Sequence, residues 1–173
     1  MSVPQMDELA KPRSVRVKAM KDGFRGPAPS MDVRAIRNGE DDEVISLWAT
    51  CGLTRPWNDP RADLEFARAK TNSTILVGRL DQKIIASIMV GHDGHRGAVY
   101  YLAVHPDFQR KGLGRAMLSS AETWLLSKHV WKLNLSVRSD NTAILGFYER
   151  MGYEEADTVV MERWIDPSKK GKE

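Results

Sequence analysis

The segment from Val99 to Arg138 constrains the fold of this chain most strongly. It opens with an apolar run of β-branched and aromatic residues, Val99 to Val104, and this composition predicts a buried strand. The strand should end before Pro106, because proline cannot donate to a sheet ladder. Beyond Gly114 the apolar residues recur at helical spacing, and from Lys132 to Arg138 they alternate as in a strand. The segment therefore predicts one βαβ unit.

The junction between the first strand and the helix contains two glycines in the stretch Gln-Arg-Lys-Gly-Leu-Gly, residues 109–114. Without a Cβ atom, a glycine lets backbone N–H groups approach an anion closely. The first turn of a helix has free N–H groups and a positive dipole end, and both favour a phosphate. Arg110, Lys111 and Arg115 add positive charge. The spacing fits either a diphosphate-binding loop or a tight turn, and it matches neither the nucleoside triphosphatase nor the dinucleotide-binding motif.

The loop Gln-x-x-Gly-x-Gly, preceded by Leu-Ala-Val-His-Pro, resembles the acetyl-coenzyme A (acetyl-CoA) loop of the GNAT acetyltransferase superfamily. A second segment, Asn141 to Tyr153, is similar to the superfamily's Asn-x-x-Ala-x-x-Phe-Tyr-Glu-x-x-Gly-Phe block. Both motifs occur in the family's order, and the resemblance covers about Met31 to Trp164. The stretches Arg-Pro-Trp-Asn-Asp-Pro and Gly-His-Asp-Gly-His-Arg-Gly resemble the small bacterial YpeA-type members.

This resemblance implies an α/β (α+β) fold with a mixed, mostly antiparallel central sheet of about six to seven strands. Helices should cover both faces, with the βαβ unit at the centre. We expect the acetyltransferase domain in residues 31–166, a flexible basic extension in residues 1–30, and a short charged tail in residues 167–173. Ile84 to Val90 is apolar with little alternation, as expected of a central strand, and Asp93-Gly94 predicts the hairpin turn that follows it.

The resemblance also implies acetyl-CoA as cosubstrate and direct transfer of its acetyl group to an amine. The backbone amide near Leu102 is expected to polarise the acetyl carbonyl, and Tyr148 to act as the general acid that protonates the departing thiolate. The coenzyme-binding residues expected from the resemblance are Tyr101, Leu102, Ala103, Val104, Gln109, Arg110, Lys111, Gly112, Leu113, Gly114, Arg115, Asn141, Phe147 and Tyr148.

The acceptor side is less defined, because acceptor contacts come from variable loops. By resemblance, the connection between the first two helices supplies Arg55, Trp57, Asn58 and Asp59. The alternative is that Trp57 covers the core and that Asn58 or Asp59 caps the second helix. In relatives that acetylate ribosomal-protein N-termini, a glutamate stands where this chain has Ser136, which is a poor base. The remaining candidates for the general base are an ordered water, Asp59, His92 and Asp93.

The excess basic charge lies in the first 30 residues, whose net charge of +3 equals that of the whole chain. Residues 31–173 are neutral and lack the basic footprint of a duplex binder, so we expect no nucleic-acid partner.

The sequence contains no run of about 18 apolar residues, so it predicts no membrane span. The single cysteine, Cys51, lies on the apolar stripe of a predicted helix and allows no intrachain disulfide, which suits a reducing cytoplasm. The resemblance to bacterial members implies a bacterial protein. His92, Asp93 and His95 have no fourth ligand at suitable spacing, so we expect no metal.

The leading hypothesis is therefore an acetyl-CoA-dependent N-acetyltransferase that acts on a small-molecule or protein amine. The sequence leaves the oligomeric state open, and a homodimer is one of the states it allows. A non-catalytic acyl-CoA sensor with the same pocket is the first alternative. A nucleic-acid accessory protein that uses the basic extension is the second.

Overall fold

A computed structural model of the protein describes residues 31–138, 141–167 and 170. The expected extension in residues 1–30 lies outside the described residues, as does most of the expected tail in residues 167–173. The described part contains strands β1 (Asp32–Ala35), β2 (Ser73–Leu80), β3 (Lys83–His92), β4 (Gly97–Val104) and β5 (Leu133–Asn134), and helices α1 (Asp41–Thr50), α2 (Pro60–Arg68), α3 (Leu113–Ser127) and α4 (Thr142–Arg150).

The sheet has the strand order β1-β2-β3-β4-β5. The first four strands pair antiparallel, whereas β4 and β5 run parallel and are connected through α3. The predicted βαβ unit and the mixed, mostly antiparallel sheet are therefore confirmed. β3 is the central strand, and Ile84 to Ile88 are all buried, as its apolar sequence predicted.

The described residues form five strands, fewer than the six to seven expected. The predicted strand from Lys132 to Arg138 pairs with β4 only at Leu133 and Asn134. The apolar stretch of residues 158–165 forms no strand within the described part of the chain. Alternating apolar residues form a strand only where a neighbouring backbone is in register to pair with them. Whether such a neighbour is present depends on residues that are distant in the sequence.

Two apolar clusters pack against the two faces of the sheet. On one face, α1 and α2 contribute Val44, Trp48 and Leu64 to a cluster that includes β2 and β3. On the other face, α3 contributes its predicted apolar stripe, including Met117 and Leu118, both fully buried. Helices cover both faces as predicted, and burying apolar surface at about 25 cal/mol per Å² supplies the driving force.

The helix ends follow local chemistry. Asp59 caps α2, because its carboxylate accepts hydrogen bonds from the backbone N–H groups of Arg61 and Ala62. Three acidic residues occupy the first turn of α1, where they complement the helix dipole. Within the described ranges, no helix combines the length and apolar character needed to cross a membrane.

Candidate active site

β4 contains a bulge near its carboxyl end. Ser87 of β3 pairs with Ala103, and Met89 pairs with Tyr100, so Tyr101 and Leu102 together oppose the single residue between them on β3. Tyr101 adopts the left-handed conformation, with φ of 50°. A bulge of this kind bends the strand and redirects its side chains. The predicted oxyanion contact, the Leu102 amide, therefore lies at an irregularity of the strand.

The edge of β4 that faces β5 is largely unpaired. Only Gly97 and Ala98 are in register with β5, so Val99 to Val104 have no strand partner on that side among the described residues. Unpaired backbone N–H and C=O groups at a sheet edge can accept an extended chain as an additional strand. This edge includes the four residues, Tyr101 to Val104, that were predicted to bind the pantetheine arm.

The glycine loop lies directly beyond the end of β4. The side-chain amide of Gln109 donates a 3.0 Å hydrogen bond to the carbonyl oxygen of Val104 and connects the loop to the strand. Gly112 precedes α3 with φ of 80°, and no heavy atom lies within 4 Å of the position that a Cβ atom would take. The first turn of α3 therefore begins at an open surface with free N–H groups, a cradle that fits a phosphate group.

Positive charge surrounds this opening. The ammonium group of Lys111 donates a hydrogen bond to the carbonyl oxygen of Asp107 at 2.9 Å and lies 5.1 Å from the centre of the Phe108 ring. Arg110 and Arg115 are exposed on either side of the two glycines. The loop thus carries cations and free amides together, as predicted for a diphosphate site.

The second predicted motif lies against the first. A Cβ atom on Gly114 would lie 3.5 Å from the Phe147 ring and 3.8 Å from Val104. Phe147 of α4 therefore packs over the start of α3 and the end of β4. Asn141 caps α4, since its side-chain oxygen accepts a 3.4 Å hydrogen bond from the Ile144 N–H. The tertiary structure brings together the loop, the strand edge and α4, but it gives Asn141 a helix-capping contact.

Tyr148 is half-buried beside this site. Its ring makes edge-to-face contacts with Phe147 and Tyr153, whose ring centres lie 5.1 Å and 5.6 Å away. Burial raises the pKa of the Tyr148 hydroxyl above its ordinary value of 10.0. The hydroxyl is therefore protonated at neutral pH, which is the state that a general acid requires.

On the opposite face of the sheet, a chain of contacts leads from the core to a carboxylate. The buried indole N–H of Trp48 donates a 2.9 Å hydrogen bond to Ser87. The Trp48 ring stacks on Tyr101 with ring centres 4.1 Å apart, and the Tyr101 hydroxyl donates a 2.6 Å hydrogen bond to Asp63. Burial and the Asp63 carboxylate raise the pKa of Tyr101 to about 12. Sequence reasoning missed Asp63, and nothing in the pattern of α2 pointed to it.

The predicted acceptor-side residues in the α1–α2 connection differ in their contacts and exposure. Arg55 donates to the carbonyl oxygens of Gly52 and Thr54, both at 2.8 Å, and so braces its own loop. The side chain of Trp57 is 41% exposed, which argues against the alternative that it covers the core. Asn58 lies close enough to the Tyr101 hydroxyl to oppose the rise in its pKa.

The candidate bases are engaged in local structure. Asp59 is the cap of α2. The Asp93 carboxylate accepts hydrogen bonds from the backbone N–H groups of His95 and Arg96, both at 2.7 Å, and these bonds lower its pKa. The Nδ1 atom of His92 accepts a bond from the Gly94 N–H at 3.1 Å. The contacts of Asp93 and His92 stabilise the hairpin turn.

In the described ranges, no three His, Cys, Asp or Glu side chains form a group that could hold a metal ion.

The single thiol belongs to the core. Cys51 is half-buried against the apolar cluster under α1, and its sulfur donates a 3.4 Å hydrogen bond to the carbonyl oxygen of Val104. Burial raises the pKa of the thiol, so it remains protonated and is a weak nucleophile. This geometry favours the structural interpretation of Cys51.

Known proteins share both the sequence and the fold. The model of the acetyltransferase (GNAT) family matches residues 42–153. An acetyltransferase from Yersinia enterocolitica is 43% identical over 131 residues, which cover 76% of this chain and 93% of that protein. An acetyltransferase from Sodalis glossinidius is also 43% identical over 131 residues, with 76% and 92% covered.

Two solved structures show the same fold. An aminoglycoside N-acetyltransferase, AAC(6')-Iy, in complex with CoA has a TM-score of 0.68 and 17% identity, covering 78% of this chain and 95% of that one. The ribosomal-protein-S18-alanine N-acetyltransferase from Escherichia coli has a TM-score of 0.64 and 23% identity, covering 73% and 79%. With this fold and the family match over most of the described domain, the chain belongs to the acetyltransferase (GNAT) family.

Proposed function

We propose that this protein is an N-acetyltransferase that moves the acetyl group of acetyl-CoA directly to an amine of a small molecule or a protein. One observation carries the proposal: Phe147 of α4 packs on Gly114 of the glycine loop and on Val104 of the unpaired β4 edge, and its ring contacts the half-buried Tyr148. Acetyl-CoA is the cosubstrate typical of the GNAT family.

The residues at this site fit the parts of the coenzyme. The N–H groups after Gly112 and Gly114, with the charges of Arg110, Lys111 and Arg115, suit the diphosphate. The edge from Tyr101 to Val104 has no strand partner on that side among the described residues, and it suits the pantetheine arm, which carries amide groups that can pair with a strand. The bulge at Leu102 then supplies a backbone amide for the acetyl carbonyl.

The reaction follows from these positions. The acceptor amine first loses a proton to solvent, because an alkylamine with a pKa near 10 is mostly charged at neutral pH. The neutral nitrogen forms a bond to the acetyl carbon, and the Leu102 amide stabilises the negative charge that develops on the carbonyl oxygen. The carbon–sulfur bond then breaks, and Tyr148 donates a proton to the thiolate. Tyr148 recovers a proton from the nitrogen or from water, so one proton is released per turnover.

We place the catalytic domain in residues 31–166 of a cytoplasmic bacterial protein. The family match within these bounds and the bacterial origin of the relatives support this assignment. The neutral charge of residues 31–173 supports an acceptor other than nucleic acid.

A calorimetric titration with acetyl-CoA tests the coenzyme site. We expect one equivalent to bind to the unaltered protein and Lys111→Glu to weaken binding at least tenfold, because it places a negative charge beside the diphosphate. Lys128→Glu is the matched control, since it makes the same charge change at the opposite end of α3. Equal effects of the two variants, or the absence of binding, would contradict the proposal.

Release of free thiol across a panel of amines tests the chemistry. Tyr148→Phe keeps the ring contacts and removes the proton donor, so we expect slower thiol release with nearly unchanged acetyl-CoA affinity. Equal turnover in the two proteins would remove Tyr148 from the mechanism. Coenzyme binding without turnover of any amine would favour the sensor alternative instead.

A further inference from the structure

The end of α4 brings Tyr153 back onto Tyr148. Gly152 adopts the left-handed conformation with φ of 87°, and its N–H donates a 2.9 Å hydrogen bond to the carbonyl oxygen of Glu149. The Tyr153 N–H then donates to the carbonyl oxygen of Tyr148 at 3.1 Å. These two bonds form a Schellman motif, in which the residue after the glycine often packs on the residue five positions before it. The backbone at the helix end therefore sets Tyr153 beside Tyr148.

Two side-chain contacts fix the Tyr153 ring in this place. Its centre lies 5.6 Å from that of the Tyr148 ring, in the edge-to-face arrangement that aromatic pairs favour. Its hydroxyl donates a 2.7 Å hydrogen bond to a carboxylate oxygen of Glu122 on α3. Burial and this carboxylate raise the pKa of Tyr153, so the hydroxyl stays protonated and remains the donor. Tyr153 thus connects Tyr148 to α3.

The helix that carries Glu122 also begins at the glycine loop. Gly112 precedes α3, and Glu122 lies about 12 Å along the helix from Gly114, at 1.5 Å per residue. Leu118 and Ala121, on the turn before Glu122, are fully buried and hold the helix against the sheet. A side chain that is bonded to Glu122 therefore has a fixed position relative to the cradle proposed for the diphosphate.

The orientation of Tyr148 depends on the rings around it. Burial raises the pKa of Tyr148, and no hydrogen bond among the described residues contributes to this shift. Its ring contacts Phe147, which precedes it on α4, and Tyr153, which lies beyond the helix end. In the family's block the position of Tyr153 is phenylalanine, so the hydroxyl that reaches Glu122 is an addition in this chain.

We propose that Tyr153 and Glu122 are positioning residues, whose hydrogen bond holds the Tyr148 ring in the orientation from which its hydroxyl protonates the departing thiolate. This inference rests on the proposed function, which assigns that proton to Tyr148. Tyr153 acts through its ring contact with Tyr148, and Glu122 acts through Tyr153. Loss of the bond therefore slows the chemical step and leaves coenzyme binding intact.

Thiol release measures this effect, with the amine of the panel that the unaltered protein acetylates fastest. Tyr153→Phe keeps the ring and removes the hydroxyl, so we expect kcat to fall about three- to tenfold, the factor that one hydrogen bond contributes. KM for the amine and the calorimetric affinity for acetyl-CoA should stay within about twofold, since neither residue touches a substrate. Glu122→Leu should have the same effect as Tyr153→Phe. Glu122→Gln should keep kcat within about twofold, because its side-chain oxygen still accepts the bond.

The matched control is Glu154→Leu, which removes an exposed carboxylate next to Tyr153 and should leave kcat within about twofold. In a Tyr148→Phe background, adding Tyr153→Phe should cause no further loss of kcat, because no hydroxyl is left to position. A merely structural role would lower kcat by the same factor in both backgrounds, and that result would refute the inference. Equal losses in Glu122→Gln and Glu122→Leu would refute it as well.

A second measurement needs neither coenzyme nor amine. In protein labelled with ¹³C-tyrosine, the NMR signals of the Tyr148 ring should shift in Tyr153→Phe and in Glu122→Leu, and should match those of the unaltered protein in Glu122→Gln. Unshifted signals in all three variants would show that the bond does not orient Tyr148. Equal turnover of Tyr148→Phe and the unaltered protein would instead refute the acid assigned in the proposed function, and the NMR signals would still decide whether Glu122 and Tyr153 hold the ring.

Discussion

Substitution of Glu40 by glutamine tests how the edge of the sheet is attached to α1. One carboxylate oxygen of Glu40 accepts hydrogen bonds from Arg34 of β1 at 2.5 Å and from Arg79 of β2 at 2.8 Å. The other oxygen accepts from Arg34 at 2.9 Å and from the Arg37 backbone N–H at 2.8 Å. The side chain of Glu40 is only 14% exposed, so one carboxylate joins two strands to the start of a helix.

These contacts lower the pKa of Glu40 from its ordinary value of 4.5 to about 2, with the hydrogen bonds from Arg34 as the largest cause. A shift of this size would correspond to about 3 kcal/mol of folding free energy at 1.36 kcal/mol per unit. Water reaches one side of the ion pairs and screens them, so we expect Glu40→Gln to lower the free energy of unfolding at pH 7 by about 1–2 kcal/mol.

The sign of the pH dependence follows from the direction of the shift. A carboxyl group whose pKa is lower in the folded state stabilises the protein above its unfolded pKa, and this stabilisation is lost as the pH falls from about 4.5 towards 2. Guanidinium denaturation at pH 7 and pH 3 measures the effect. The stability difference between the unaltered protein and Glu40→Gln should fall to less than half at pH 3.

The matched control is Asp42→Asn. Asp42 also pairs with an arginine, Arg61, but its side chain is 88% exposed, and exposed pairs contribute little. This variant should therefore lower the free energy of unfolding at pH 7 by only about 0.5 kcal/mol, the contribution of one exposed acid in the first turn of α1. A Glu40→Gln effect that does not depend on pH, or that equals the Asp42→Asn effect, would refute the argument.

Two further predictions concern the support of the site. Ser87→Ala should lower the free energy of unfolding by about 1–3 kcal/mol in denaturant titrations, because the buried indole N–H of Trp48 loses its acceptor; a stability equal to that of the unaltered protein would show that the bond contributes nothing. Gly97→Ala should cost about 1–3 kcal/mol in the same measurement, because the new Cβ atom would lie 2.5 Å from a methyl carbon of Leu125 and would force α3 or this side chain to move. A neutral result at Gly97 would mean that Leu125 changes rotamer without cost.

Much of the architecture was predictable because its signals are local. The apolar stripe of α3, the apolar run of β4 and the turn at Asp93-Gly94 each lie within one short stretch, and each structure is confirmed. The family motif at residues 109–114 likewise places free helix N–H groups after a strand, because the glycines permit the turn. The acetyltransferase family itself was identified from two motifs in order.

The roles of single polar residues were harder to predict. Asp59, Asp93 and His92 all qualified as bases by residue type, but each accepts hydrogen bonds from its own loop or helix end. A carboxylate that caps a helix and one that acts on a substrate have the same local sequence context. Only the hydrogen-bond partners in the folded structure distinguish a helix-capping carboxylate from a catalytic one.

The sequence by itself determined the βαβ unit, the glycine loop and the family, since each depends on residues that are close in the chain. The tertiary structure alone decided which residues that are distant in the chain come into contact. Tyr101 and Asp63 are 38 positions apart and come together only because a bulge in β4 places Tyr101 opposite α2. The bulge and the length of β5 depend on register between distant backbones, and pairing energy between strands sets that register.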